Sequence, residues 1–360
     1  MSERADLHRA ILAAPDDDAP RLVFADWLDE HGEPDQAEFI RLQCATDRLP
    51  PTSRRWQSLH DRAQRLLRDW RADWAASTME RVLRADFRRG FVDGVTLTID
   101  HFVSGADDLL ALEPIRMWEF REVAFFHRSP PLTSLALHPA FDRVRGLAVG
   151  EFAPDELVTA IAGSPHLNGL RSLSISYHRP GPEALKALFA AAPVLDHLEA
   201  ANSPVSNFRD LWKRGAPPRL RRLSLAHCRV TDHAVEQLAL SPAVGQLEIL
   251  RLDMNGVSEY TAEAIAASAH LSGLRELSLA HTSLGDRGVM ALARTPTLQN
   301  LRVLNLANCY LDNADAQSLA DSPYLNELEC LCLDGNRISA EVEVELTKRF
   351  GGALCPIAWP

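Results

Sequence analysis

The chain has 360 residues, 46% of them apolar and 24% charged, with a formal net charge of −11. That length exceeds one ordinary compact domain unless the chain is built by repetition, and the negative balance argues against nucleic acid as a partner, which needs a cationic surface. No stretch approaches the roughly 18 uninterrupted apolar residues of a spanning helix, and the opening MSERADLHRAILAAPDDD lacks the apolar run of a signal peptide, so a soluble, cytoplasmic protein with no membrane partner is expected.

Charge is unevenly placed. Residues 1–47 carry 4 basic and 12 acidic side chains, residues 48–90 carry 11 and 5, and the remainder 23 and 32. The stretch APDDDAPRLVFADWLDEHGEP is punctuated as a helix. Asp17 or Asp18 can cap its start, Pro20 suits the first turn, and Gly32 suits the left-handed residue after its end. Leu22, Val23, Trp27 and Leu28 give it an apolar side. Glu33–Pro34 breaks the chain before a second helix, DQAEFIRLQCATDRL, with Phe39, Ile40 and Leu42 as buried candidates. Asp26 has no second titratable group at a spacing that would suggest catalysis. Pairing with Arg21 or Arg41, fixing how the two helices dock, is the expected role.

A longer helix is predicted over about residues 54–76, where Trp56, Leu59, Ala63, Leu66, Leu67, Trp70 and Trp74 form a helical stripe. Arg54, Arg55, Arg62, Arg65, Arg68 and Arg71 lie off that stripe. They read as a solvated face leaning on the acidic segment before it, the alternative being an anion or nucleic-acid patch. Residues 13–43, AAPDDDAPRLVFADWLDEHGEPDQAEFIRLQ, resemble the short bacterial repeat-companion domain. The resemblance implies a neighbouring repeat array and no activity of its own. Residues 1–90 are thus expected to be a small all-helical domain that either caps the array or recruits a partner itself, with Asp26, Trp27 and Arg41 in structural roles.

The array itself is expected over 91–360. An L-x-x-L-x-L phrase begins at Leu220, Leu247, Leu274, Leu301 and Leu328, each start 27 residues after the last. Weaker copies read Leu195/Leu198/Ala200, Leu170/Leu173/Ile175, Val144/Leu147/Val149, Phe120/Val123/Phe125 and Val92/Val95/Leu97, and Leu354/Ile357/Trp359 is a candidate last copy. Residues i+3 and i+5 fall on one side of a strand because side chains alternate. A short one-sided strand cannot bury its apolar side alone, so copies stack and share a core. Helical segments such as TDHAVEQLALSP and GDRGVMALARTP fill the rest of each unit.

Strand plus helix at this period resembles leucine-rich repeats of the ribonuclease-inhibitor and Ran-GTPase-activator type. The resemblance implies an α/β solenoid of ten to eleven strands, with a parallel concave sheet and convex helices. It also implies a Cys or Asn eight residues after the first Leu, bonded to loop backbone. Cys228, Asn255, Cys309 and Asn336 fit; Thr282, Ser203, His178, Phe152 and Arg128 depart from that pattern.

Positions i+2, i+4, i+6 and i+7 are expected to line the concave face. Arg222, His227, Arg251, Asp253, Glu276, His281, Asn305 and Asn308 are the candidate partner-binding residues there. His227 and His281 are two strands apart, roughly 10 Å, too far to share a metal ion. Cys330 and Cys332 read as strand cysteines. No nucleophile, phosphate loop or metal cluster stands out, so neither catalysis nor a cofactor or metal is expected. The sequence therefore reads as a non-enzymatic scaffold binding an unidentified protein. The alternatives are a GTPase-activating regulator, implied by the Ran-activator resemblance alone, and nucleic-acid binding through the Arg-rich helix, which would weaken steeply with salt.

Overall fold

The computed structural model describes residues 2–49, 54–121, 132–150, 156–178, 181–203 and 219–354. They belong to two compact units, Met1–Ala153 and Pro154–Pro360.

In the first unit, α1 (Glu3–Ala13), α2 (Ala19–Glu30), α3 (Pro34–Thr46), α4 (Arg54–Trp74) and α5 (Ala76–Met79) precede two strands, β1 (Arg84–Arg88) and β2 (Phe91–Leu97). Asp17 starts α2 by accepting from the Ala19 N–H at 2.9 Å. Ile11, Phe24, Leu28, Ile40, Cys44 and Phe91 bury the seam of α1, α2, α3 and β2. Phe39, Ala63, Leu66 and Leu67 bury the seam of α3 and α4. Two expected core residues stand outside it: Val23 is 53% exposed and Trp70 is 40% exposed. Trp70 lies alongside Trp74, ring centroids 6.3 Å apart, while Trp74 stacks on Phe39. Asp26 pairs with Arg41 at 2.6 Å, and Arg41 also reaches Asp29, so one guanidinium ties α3 to α2. Trp27 stacks on His31 and donates from its indole N–H to Glu3.

Residues 84–88 depart from the all-helical expectation. RADFR has too few apolar residues to announce a strand, yet it pairs antiparallel with β2. Arg89 (φ 53°) and Gly90 (φ 87°) make the turn, the two-residue left-handed kind that suits a hairpin. A Cβ on Gly90 would lie 2.3 Å from Ile40 Cγ1 and 2.8 Å from Ile40 Cα, so only glycine lets the turn settle on α3. β2 is buried along its whole length and pairs in parallel with β3 (Met117–Phe120), which pairs with β4 (Gly146–Val149). α6 (Ile99–Leu112) follows β2, its first turn capped by Thr98; α7 (Leu132–Ala136) precedes β4.

Register corrects one repeat frame. Trp118 lies opposite both Val95 and Leu147, so the fourth copy upstream is Ile115/Trp118/Phe120 rather than Phe120/Val123/Phe125. Both frames offer apolar residues at i, i+3 and i+5, and only strand pairing distinguishes them. Val123, Phe125, Arg128, Phe152, Ile357 and Trp359 lie outside the described residues; Leu354 bridges Leu331 in parallel.

The second unit is an α/β solenoid. Its strands are β5 (Ser172–Ser174), β6 (His197–Glu199), β7 (Arg222–Ser224), β8 (Ile249–Arg251), β9 (Glu276–Ser278), β10 (Val303–Asn305) and β11 (Cys330–Cys332). All pair in parallel with Leu173, Leu198, Leu223, Leu250, Leu277, Leu304 and Leu331 in register. Each of these leucines is at most 1% exposed, a burial worth about 1.5–3 kcal/mol apiece before chain entropy is set against it. The helices α8 (Glu156–Ala162), α9 (Pro182–Ala191), α10 (Asp232–Ala239), α11 (Glu259–Ala267), α12 (Gly285–Arg294), α13 (Asn313–Ala320) and α14 (Ala340–Phe350) alternate with the strands. Successive helices are also tied by hydroxyls at the breaks that end them. Ser268 donates to the Ala239 carbonyl, Thr295 to Ala266 and Ser322 to Ala293.

Candidate functional site

Period two sends i+3 into the core and i+2 and i+4 out over the opposite side of each strand. On that open side Arg222, His227, His281 and Asn308 are exposed, whereas Arg251, Asp253 and Glu276 are half-buried. Asn305 is not a surface residue: it is 4% exposed and its Oδ1 accepts from the Ala307 N–H at 3.1 Å. Ser278 and Cys332 at the same position are equally covered. Strands about 4.8 Å apart let the neighbours' longer side chains close over a short i+4 residue. Asp253 does this to Ser278, accepting from its hydroxyl and, at 2.9 Å, from the Ala280 N–H. Arg251 and Glu276 meet across β8 and β9 at 2.6 Å. His227 Nδ1 lies 2.5 Å from Asn202 Oδ1, and Asn308 Nδ2 lies 3.4 Å from His281 Nε2. Each histidine therefore meets an asparagine. Among the described residues, no three His, Cys, Asp or Glu side chains are grouped to hold a metal ion.

Position i+7 forms a column of left-handed residues: Tyr177, Asn202, His227, Met254, His281 and Asn308 have φ between 54° and 70°, and Gly335 has 72°. The turn keeps the ladder going beyond the strand. The His227 N–H donates to the Asp253 carbonyl and the Met254 N–H to Ala280, at 2.8 and 2.9 Å. Side chains here project past the sheet; Tyr177 and Met254 are 50% and 52% exposed.

Beneath this rim runs a polar ladder at i+8. Asn255 Oδ1 accepts from the Cys228 and Val230 N–H groups, while its Nδ2 donates to the Leu225 and Leu252 carbonyls. Asn336 makes the same set of contacts to Cys309, Leu311, Leu306 and Leu333. Cys228 donates to the Ala200 carbonyl and Cys309 to Leu279. Ser203 and Thr282, which depart from the Cys/Asn pattern by type, are buried and donate to loop carbonyls as well.

The other edge of the sheet carries a column the sequence reading passed over, the residue right after each leading leucine. It reads Arg171, Asp196, Arg221, Glu248, Arg275, Arg302 and Glu329. Neighbours of opposite sign pair across strands: Arg171 with Asp196 at 3.6 Å, Arg221 with Glu248 at 3.2 Å, and Arg302 with Glu329 at 2.8 Å. Around β5 to β8 this edge opens into a cleft of about 740 Å³. Among the described residues Arg171, Arg219, Arg221 and Arg222 line it, with two carboxylates, Asp196 and Glu248. His197 lines it too; burial, then the nearby Arg222, hold its imidazole below the ordinary pKa. The signal that would have found this column was in the sequence, as charged residues recurring at i+1.

Residues 270–293 match the family model described as Leucine Rich repeat, and this segment holds Leu274, Leu277 and Leu279 with all of β9. The match covers the one repeat unit built around β9. No curated protein matches the chain. An internalin (inlF) from Listeria monocytogenes is similar over 74% of this chain and 72% of that one, at 20% identity and a TM-score of 0.47. A Bacteroides fragilis protein is similar over 80% of this chain and 81% of that one, at 14% identity and a TM-score of 0.49. In the copies that begin at Leu220, Leu247, Leu274, Leu301 and Leu328, leucines hold i, i+3 and i+5 each time. The i+1, i+2 and i+7 columns carry what differs between copies.

Proposed function

We propose that the protein is a non-enzymatic docking scaffold whose open strand face receives a protein partner, with the cleft beside Arg222 taking acidic side chains of that partner. One observation carries the reading: among the described residues four arginines and two carboxylates line a cleft of about 740 Å³, inside a chain of net charge −11. A cationic cleft on an anionic protein focuses its field locally and selects against most surfaces. Arginine is also a favoured anchor in interfaces. The setting proposed is cytoplasmic, supported by the buried thiols of Cys44, Cys228 and Cys309. Residues 13–43 are proposed as a repeat-companion module, and the repeats as the ribonuclease-inhibitor type, on their sequence resemblance.

The test is paired affinity capture from the native lysate with wild type and with Arg219→Glu/Arg222→Glu, after both are shown to be equally folded. A protein held by wild type, released by salt and absent from the variant is the expected result. Equal capture by both baits would remove the cleft from the reading.

A further inference from the structure

A cavity of about 310 Å³ opens in the first unit, walled by α1, α2, α4 and the β1–β2 hairpin. Phe24, Trp74, Phe87 and Phe91 line it, with the His8 imidazole beside them. Phe24 and Phe91 are tilted at 45° with centroids 5.8 Å apart, and His8 lies 6.0 Å from Phe91. Glu113, just after α6, joins this lining. Its Oε2 accepts from the Val92 N–H at 3.3 Å, and among the described residues no cation pairs with it. Among the described lining residues Arg4 carries a standing positive charge; both oxygens of Glu33 hold it, at 2.5 and 3.1 Å, and its guanidinium lies at the edge of the cage, 6.0 Å from the Phe24 ring centroid.

We propose that this cavity binds a small organic cation, its ammonium head among the rings of Phe24, Trp74, Phe87 and Phe91 and its charge against the Glu113 carboxylate. Ring faces attract an ammonium through their quadrupole, most strongly where water is excluded. A partly buried carboxyl without a counter-charge is costly to ionise, and the ligand supplies that counter-charge. The volume suits a ligand at the small end of the range for such sites.

The arrangement also couples binding to protons. Burial pushes the Glu113 carboxyl up to about 8, so near neutral pH the empty cavity holds chiefly the neutral acid and a bound cation expels its proton. The charged or titratable groups facing the cavity besides Glu113 are Arg4 and His8, both on α1. α2, α3, α4 and the hairpin contribute Phe24, Gln36, Trp74, Phe87, Gly90 and Phe91. Burial and then Arg4 lower the His8 pKa, so above neutrality it adds no opposing charge.

Choline is the probe, titrated calorimetrically into the full chain on either side of the Glu113 value of about 8. Its neutral isostere, with carbon in place of the quaternary nitrogen, is run alongside. Saturable binding at least about tenfold tighter on the alkaline side, with proton release near neutrality, is expected. The isostere should bind about tenfold more weakly. Glu113→Gln keeps the volume and an acceptor for Val92, so it should fold and should lose at least about tenfold in affinity, as should Trp74→Ala. Absence of saturable choline binding, equal binding of the isostere, or unchanged affinity in Glu113→Gln would each overturn the proposal.

Discussion

Asn255 closes the loop of the repeat before its own: its Oδ1 lies 2.9 Å from the Cys228 nitrogen, and its Nδ2 donates back to the Leu225 carbonyl at 2.8 Å. One side chain thus satisfies buried donors and acceptors that no strand or helix can reach. Asn336 repeats the geometry near the end of the described array but is only half-buried, whereas Asn255 is 7% exposed. The two positions form a controlled comparison. Asn255→Ala strands several buried groups away from water and is expected to cost about 3 kcal/mol. Asn336→Ala leaves its groups open to solvent and should cost about 1–2 kcal/mol. Denaturant unfolding of both variants checks the order; equal losses would mean that burial does not set the cost.

Asn305 and Arg222 were both candidate partner contacts, and the structure separates them. Asn305→Ala removes the acceptor of the Ala307 N–H from a covered site and is expected to lower stability by about 1–2 kcal/mol while leaving partner capture intact. Arg222→Glu sits on an exposed side chain and should change stability by no more than about 0.5 kcal/mol, yet abolish capture. Measuring unfolding and capture on the same two proteins would sink the assignment if the effects came out the other way round.

The contrast shows what the sequence could and could not disclose. A spacing of 27 residues between leading leucines was enough to place β7 to β11 and their inward leucines, because period two and stacking leave few other arrangements. Burial of Asn305 was not legible, since it depends on how far neighbouring side chains lean across the sheet. Nor was the frame at Ile115, where two overlapping apolar triplets compete and pairing with Val95 decides. Ser203 and Thr282 were set aside by residue type, although a hydroxyl can donate to a loop carbonyl as a thiol can. The cleft does not follow from Arg222 alone, since Arg171 and Arg221 join it from i+1, at the strand's edge.

Glu113 gives the first unit a pH dependence of unusual sign. Its carboxyl lies at about 8 in the folded chain against an ordinary value of 4.5. Between these values the folded state holds a proton that the unfolded state has released. The contribution to stability is therefore full below pH 4.5 and is lost as pH rises to about 8. Allowing for solvent screening of a half-buried group, the loss should be about 2 kcal/mol. Other carboxylates contribute their own dependence, so the measurement is the difference between wild type and Glu113→Gln across that range. A difference that does not change with pH would show that Glu113 ionises normally.

Met254 holds a left-handed backbone, φ 55°, at a position where the array also accepts Tyr, Asn, His and Gly. The conformation is imposed from outside the residue, by the hydrogen bond from its N–H to the Ala280 carbonyl. For an L-residue it costs about 1 kcal/mol. Met254→Gly removes that strain but gains chain entropy in the unfolded state, so it should be neutral or stabilise by about 0.5 kcal/mol. Met254→Ile adds a β-branch that the left-handed region resists, and should destabilise by about 1–2 kcal/mol although the side chain is 52% exposed and loses little packing. Unfolding midpoints decide between strain and packing: if the isoleucine variant matched wild type, the ladder would not be what holds this column in place.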